Sequence, residues 1–351
     1  MKNLKKSFLA LTLLLSTTLL SACGNSEDTA KIEEIKYYAP LSGIETQSDI
    51  KNDPIFAVML DNHPKARPQS GLNNADVIYE FKAEGEYTRY LALFQENHSE
   101  QIGPVRSARP YFVDTAAEYD AIYAHWGGSE AGYAEIPSAG VKDLDGIFLE
   151  GSTFYRNKEV KKFAPHNGYT SYDLLKEASE NKGYLENYNL KYSLNFDTSK
   201  DLEKIQKQMG ENIANDMTFD FFPSAYNMQF IYNEEDNNYS AIRSGETLID
   251  EKDSSNVLPK NIILQYANSK ITGPKLTLTI SHIGEGNGKL FTNGKVIDIT
   301  WEKESATSPT IFKTLEGEEI ILTPGLTFVE VLDESDPVTI LPIEEPKNDT
   351  K

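Results

Sequence analysis

Cysteine is almost missing from this chain of 351 residues, which holds one thiol, Cys23. No disulfide can form within it, and cysteine-rich metal sites and dithiol redox chemistry are excluded, so stability must come from packing. Tryptophan occurs twice and histidine five times. Positive charge is also short: 34 Lys and Arg stand against 54 Asp and Glu, for a net charge of −20. A chain this acidic is repelled by nucleic acid and by an anionic membrane face, so no nucleic-acid partner is expected. Beyond the N-terminus there is no apolar run long enough to cross a membrane, which takes roughly 20 residues.

What is present begins with that lone cysteine. Lys2, Lys5 and Lys6 precede an apolar stretch over residues 8–20, and small residues then lead into Leu20-Ser21-Ala22-Cys23. The order is that of an export signal. Leu-Ser-Ala-Cys resembles a bacterial lipobox, in which the thiol receives a diacylglycerol, with palmitate as a typical acyl chain, and becomes the first mature residue. The alternative is an ordinary cleaved signal with an incidental cysteine. Loss of the three lysines with residues 1–22 would leave a net charge of −23. The expected organisation is a signal peptide over 1–22, a tether over 23–52, an N-terminal α/β domain over 53–190 and a joint over 191–226. A β-rich C-terminal domain over 227–335 and a tail over 336–351 complete it.

The periodicities behind this are local. Ile55-Phe56-Ala57-Val58-Met59-Leu60 is a continuous apolar run fit for a buried strand. Residues 76–81 and 88–94 read as two more strands joined through Glu84-Gly85-Glu86. A helix is expected over 110–119 with Pro110 in its first turn, and another after Thr170 or Ser171, ended by Gly183. Residues 201–209 suggest a short helix, and 212–223 show no clear period. In the β-rich part, 275–280 alternates, Asn293-Gly294 favours a tight hairpin turn, and Gly284 to Gly288 reads as a glycine-rich turn. The fold class expected is α+β, a mixed α/β domain followed by a β-rich one.

Candidate site residues follow from uneven distribution. Of six arginines, Arg67, Arg89, Arg106, Arg109 and Arg156 fall within one window of about ninety residues, and His63, His98, His125 and His166 lie in the same domain. A planar five-donor fork suits a carboxylate or phosphate held in fixed orientation. Three loops concentrate these groups: 61–71 after the apolar run, 103–110 leading into a helix, and His125-Trp126-Gly127-Gly128-Ser129 after a strand. The same arginines can instead brace the fold against Asp61, Glu80, Glu84 and Asp114. Asp61, His63, His125 and His166 offer nitrogen and oxygen donors for a metal. They lack a spacing such as His-x-x-x-His, so neither a metal nor a cofactor is assigned. Ser107 and Ser129 lie outside any Gly-x-Ser-x-Gly and read as turn or cap residues.

Taken in order, Asp61-Asn62-His63-Pro64, Ala66-Arg67-Pro68-Gln69-Ser70-Gly71-Leu72, Ala75-Asp76-Val77-Ile78-Tyr79-Glu80, Thr88-Arg89, the run 102–110, Gly127-Gly128-Ser129 and Ala164-Pro165-His166-Asn167 resemble the YerB-like lipoproteins of Gram-positive bacteria. Asn293-Gly294-Lys295, Thr300-Trp301 and Pro324-Gly325 are similar to that family's C-terminal domain. The resemblance implies two domains, a lipid anchor and an envelope location, and supplies no reaction. The segment from Ile102 through Arg106 to Gly128 also resembles the wall-polymer transferases of the LytR-CpsA-Psr type, whose arginines hold a polyprenyl pyrophosphate. Ser107 stands where those enzymes place a carboxylate.

The reading is a lipoprotein anchored at Cys23 on the extracytoplasmic face of the membrane. It would bind an anionic envelope ligand, or a cell-wall protein, through a cleft lined by Asp61, Asn62, His63, Arg67, Arg89, Arg106, Arg109, His125, His166 and Asn167. Two alternatives stay open: an enzyme acting on wall glycopolymer or lipid-linked phosphate, and a scaffold for envelope assembly proteins.

Overall fold

The run Phe56–Asp61 (β1) is buried at every position, with Phe56, Val58 and Leu60 entering one core and Ala57 and Met59 the other. A strand's side chains alternate between faces, so an unbroken apolar run belongs where both faces are covered. A computed structural model describes residues 35–342, except 187, 189, 191 and 222. Cys23, the signal stretch and residues 343–351 lie outside the described residues; of the tail expected over 336–351, Val338–Leu341 is a strand paired with Asp216–Phe219. The compact unit begins at Lys36. Within the stretch expected to be tether, Tyr37–Tyr38 pairs with Glu45–Thr46 and Leu41 is fully buried.

After β1 come Val77–Glu84 (β2), Tyr87–Phe94 (β3), Pro110–Glu118 (α1), Ile122–His125 (β4), Glu130–Ser138 (α2), Asp143–Asp145 (β5) and Tyr172–Asn181 (α3). The second half holds Glu203–Met209 (α4), Asp216–Phe219 (β6), Met228–Asn233 (β7), Asn238–Arg243 (β8), Glu246–Thr247 (β9) and Asn261–Tyr266 (β10). Gly284–Thr292 (β11), Lys295–Lys303 (β12), Ile311–Thr314 (β13), Thr327–Leu332 (β14) and Val338–Leu341 (β15) follow. The architecture is α+β, with helices gathered in the first two thirds and a β-rich remainder.

Ten strands make one mixed sheet in the order β13-β12-β11-β10-β14-β2-β3-β1-β4-β5. The late strand β14 runs parallel to β10 on one side and to β2 on the other, so the two halves of the chain are joined by backbone hydrogen bonds. Helices α1, α2 and α4 pack on one face through Tyr111, Phe112, Ala116, Ile136, Ile205 and Met209. The other face carries α3 and a five-stranded sheet, β9-β8-β7-β6-β15, through Tyr172, Leu175, Met217, Phe230 and Tyr239.

Local signals behave as their chemistry predicts. Ser171 accepts from the Leu174 amide at the start of α3, and Ser129 accepts from the Gly132 amide at the start of α2. Each such cap stabilises by about 1 kcal/mol. Asn293 and Gly294 have φ of 52° and 69°, as a tight hairpin between β11 and β12 requires.

Three local expectations are corrected. Gly284 to Gly288 is not a turn but the first half of β11. A Cβ on Gly286 would lie 2.6 Å from the Trp301 ring, and one on Gly288 2.4 Å from the Leu264 carbonyl. Those glycines serve close cross-strand approach, which sequence alone renders as flexibility. The stretch 212–223 contains β6, and the strand expected over 275–280 is reduced to Leu278–Ile280 behind a 3-10 turn.

Candidate anion-binding site

Asp61 ends β1 with its carboxylate buried, and one neighbouring amide and two side chains from distant segments converge on it. The His63 amide donates to Oδ1 at 2.9 Å and His166 Nδ1 donates to Oδ2 at 2.7 Å. Arg106 Nε lies 3.3 Å from the same Oδ2. That angle is poor for a hydrogen bond, so this contact is an ion pair held by charge. Burial alone would raise the Asp61 carboxyl. The His166 hydrogen bond, the Arg106 charge and the His63 amide outweigh it and hold the group below the usual carboxylate range.

The two imidazoles form a wall. His63 and His166 stack with ring centroids 4.6 Å apart. His63 Nδ1 accepts from the Lys65 amide at 3.1 Å, which leaves Nε2 as the N–H of a neutral ring. Burial lowers the His63 pKa, and the neighbouring His166 lowers it further. With Nδ1 of His166 committed to Asp61, its Nε2 makes no hydrogen bond among the described residues. The terminal nitrogens of Arg106 are likewise unpartnered there.

A second arginine follows. Arg156 lies over the Trp126 ring at 3.9 Å, and its Nη1 donates to Asn167 Oδ1 at 3.4 Å. Tyr155–Arg156 pairs with Gly168–Tyr169, which puts Arg156 on the segment that presents His166. Arg156 and Arg106 are close enough to repel, so Arg156 adds positive potential at the same place. On the 61–71 loop, Arg67 donates to the Asn62 carbonyl through Nη2 at 2.8 Å and sits over the Tyr226 ring at 5.3 Å. Tyr87, half exposed, stacks on Tyr226. The peptide bonds preceding Pro68, Pro104 and Pro165 are cis, one in each loop of this rim.

The expected set is therefore divided. Asp61, His63, Arg106 and His166 form the cluster, and Arg67 and Asn167 border it. Arg89 and Arg109 do not offer free forks, which corrects their expected role: both engage Glu84, Arg89 through two bonds at 2.8 and 2.9 Å. Asn62 is fully buried, donating to Glu80 Oε1 and Thr88 Oγ1 and accepting from Arg67, so it braces the loop from beneath. His125 is also removed from the surface; it is fully buried, with Nδ1 2.8 Å from the Gly127 carbonyl and Nε2 3.2 Å from Asp143. Among the described residues, no group of three His, Cys, Asp or Glu is placed to hold a metal ion.

Sequence reasoning missed Tyr226 and Glu251, and it counted Arg156 in the arginine-rich window without placing it at the site. Tyr226 comes from the second half of the chain, and its phenol is within electrostatic range of Asp61, Arg67 and Arg106. Glu251 accepts from Lys162 at 2.7 Å and from Tyr169 at 2.6 Å, closing the rim from the same side. Nothing local marks Tyr226 and Glu251, because their partners in the first half of the chain are about 80 to 180 positions away.

A cleft of about 400 Å³, lined by Pro64, Arg67, Gln69, Arg243, Ser244 and Glu246 among others, adjoins the cluster along the 61–69 loop. Two larger hollows lack this chemistry. The one at Thr218 and Asn227, about 460 Å³, has no titratable side chain in its lining. That at Glu285, Glu302 and Glu304, about 630 Å³, is acidic.

Residues 41–185 match the family model described as the N-terminal domain of a protein of unknown function, DUF3048, and residues 217–329 match its C-terminal domain. The chain belongs to the DUF3048 family. A Bacillus subtilis (strain 168) member named "Putative lipoprotein YerB" is 32% identical over 333 residues, spanning 92% of this chain and 94% of that one. The crystal structure of the YerB protein from Bacillus subtilis superposes with a TM-score of 0.75 at 31% identity, covering 86% of this chain and 99% of that one. The site draws on both DUF3048 segments: Asp61, Arg106 and His166 lie in the first, Tyr226 and Glu251 in the second.

Proposed function

We propose that the protein is a lipoprotein held through Cys23 at the extracytoplasmic face of the membrane, where it binds an anionic envelope ligand at the His63–Arg106–His166 surface. The lipobox resemblance at Cys23 and the name of the Bacillus subtilis relative support the anchor. One observation carries the binding role. Asp61 orients Arg106 and His166 through the near side of each group and leaves their outer nitrogens unpartnered among the described residues. In a chain of net charge −20, a guanidinium held on one side by a buried carboxylate is suited to grip an oxyanion through its remaining donors. Calorimetric titration with inorganic pyrophosphate tests this. Arg106→Gln should lower affinity at least tenfold. Binding equal to wild type in that variant would refute the role.

A second reading, an enzyme acting on envelope glycopolymer or lipid-linked phosphate, is favoured by the Asp61–His166 pair itself. A carboxylate that fixes Nδ1–H leaves Nε2 as a base, the arrangement used to draw a proton from water or a hydroxyl. Turnover of a wall-polymer phosphodiester that vanishes in His166→Asn would support it. Binding without turnover leaves the binder.

A further inference from the structure

Of the six arginines, Arg67 alone forms no ion pair among the described residues. Its Nε and Nη2 rest on the Asn62 carbonyl, at 3.1 and 2.8 Å, and its Nη1 has no partner there. The nearby Arg243, already paired with Glu80, repels Arg67 rather than balancing it. A partly buried cation without a counter-charge is costly to keep, so Arg67 is suited to an anion brought from outside the chain. Two stretches of backbone bound the cleft of about 400 Å³ beside it: the loop through Arg67 and Gln69, and the run from Glu246 to Ile249. They join where the Glu251 amide donates to the Gln69 carbonyl at 2.9 Å. In that second stretch lies β9, the outer strand of the five-stranded sheet. The Leu248 amide donates to the Ala241 carbonyl at 2.8 Å, and Thr247 is in register with Ile242. Antiparallel ladders alternate between bonded and non-bonded pairs, so the Thr247 N–H and C=O point away from β8. Neither has a hydrogen-bond partner among the described residues. An exposed edge of this kind is a template for an added strand.

We propose that this cleft takes the C-terminal end of an extended peptide, its main chain paired with Thr247 on the β9 edge and its terminal carboxylate on Arg67. Strand addition supplies the main-chain bonds, and a planar guanidinium matches a carboxylate. A chain end, rather than a passing strand, suits a groove that the Glu251–Gln69 contact closes at one side. Glu246, exposed in the same lining, repels a second negative charge. That favours a singly charged carboxylate here over the phosphates suited to the Arg106 surface. Main-chain bonds and a terminal charge require no particular side chains, so the recognition is of the chain end itself. The proposal is independent of the anion-binding reading, because neither Arg106 nor His166 lines this cleft.

The test is calorimetric titration of the full-length protein with acetyl-Ala-Ala, its C-terminal amide, and acetyl-Ala-Ala methylated on both amide nitrogens. Replacing the carboxylate by an amide removes a charge-assisted hydrogen bond and should lower affinity about tenfold. Methylation removes the donors that pair with the strand and should lower affinity to a similar extent. Arg67→Gln should erase the preference for carboxylate over amide. Thr247→Pro deletes the outward N–H at an edge position, where proline is tolerated. It should abolish peptide binding while the urea midpoint and pyrophosphate affinity stay at wild-type values. Equal affinity for carboxylate and amide would overturn the proposal by removing Arg67 from it. Equal affinity for the methylated peptide, or full binding by Thr247→Pro, would overturn it by removing the strand edge. Absence of acetyl-Ala-Ala binding would overturn it outright, and pyrophosphate binding in the same sample would leave the anion reading standing.

Discussion

Glu80 and Glu330 stand side by side on the parallel strands β2 and β14, both fully buried, and share one guanidinium. Arg243 bonds to Glu80 and, at 2.7 Å, to the Tyr90 hydroxyl, while neither carboxylate oxygen of Glu330 has a hydrogen-bond partner among the described residues. Burial drives the Glu330 carboxyl well above its ordinary range. Glu80 adds to this and Arg243 offsets part of it. Glu330 is thereby biased toward its protonated form, at the seam between the two halves of the chain.

A group whose folded pKa is raised retains its proton after the unfolded chain has lost its own, so stability falls as pH rises past the unfolded value. For Glu330 that fall begins near 4.5. Glu330→Gln mimics the protonated form and should flatten this part of the profile, making the variant more stable than wild type at pH 8 relative to pH 5. Arg243→Met leaves Glu80 buried and unpaired and should cost about 3–5 kcal/mol. Urea midpoints at the two pH values check both; an Arg243→Met loss under 1 kcal/mol would refute the second.

Asp76 gives a separate reading of the same linkage. Burial pushes its carboxyl up to about 7, against amide hydrogen bonds from Gln95 at 2.6 Å and Glu96 at 3.2 Å, and Oδ1 has no partner. Stability should fall by up to about 4 kcal/mol between pH 4 and 7 from this group. Asp76→Asn keeps the acceptor facing the two amides and should remove that slope. Unchanged pH dependence in the variant would contradict the assignment.

Glu84 holds Arg89 and Arg109 together, with side-chain exposures of 22%, 7% and 11%. Glu84→Gln strands two poorly solvated cations and should cost about 3 kcal/mol, toward the lower end for a broken buried pair because Glu84 keeps some contact with water. The denaturation midpoint should drop while pyrophosphate affinity stays within twofold, the reverse of Arg106→Gln. A midpoint unchanged in Glu84→Gln would show that these arginines do not depend on it.

Anion binding should strengthen in mild acid. His63 titrates below 6.5 because burial and His166 disfavour its charge, and a bound oxyanion favours the protonated ring. Affinity for pyrophosphate should rise several-fold between pH 7.5 and 5.5. His63→Gln should lose a measurable part of that rise, as read by titration at four pH values. A rise undiminished in the variant would exclude His63 from the site.

Much of this molecule could be read locally. The apolar run that becomes β1, the Ser171 cap of α3, Pro110 at the head of α1 and the Asn293-Gly294 turn each depend on neighbours within a few residues. The loop 61–71 and the run 102–110 drew attention through their residue types, and both reach the cluster. What failed was orientation. Arg89 is the register partner of Asp61 across β3 and β1, yet its fork turns to Glu84, a competition that no count of arginines decides. Arg243 lay outside the arginine-rich window and proves among the most buried charges, because β8 is carried back against β2 by the five-stranded sheet.

The sequence by itself determined which segments could bury both faces, where helices start and chains reverse, and that cations would be few enough for each to matter. These follow from side-chain period, capping chemistry and composition, all short-ranged. Tertiary structure alone decided that β14 slots between β10 and β2, that Tyr226 and Glu251 cross to the loops of the first half, and that Asp61 claims Arg106 and His166 while Glu84 claims Arg89 and Arg109. Those outcomes turn on distances between groups far apart in the chain, where one carboxylate an ångström nearer takes the guanidinium.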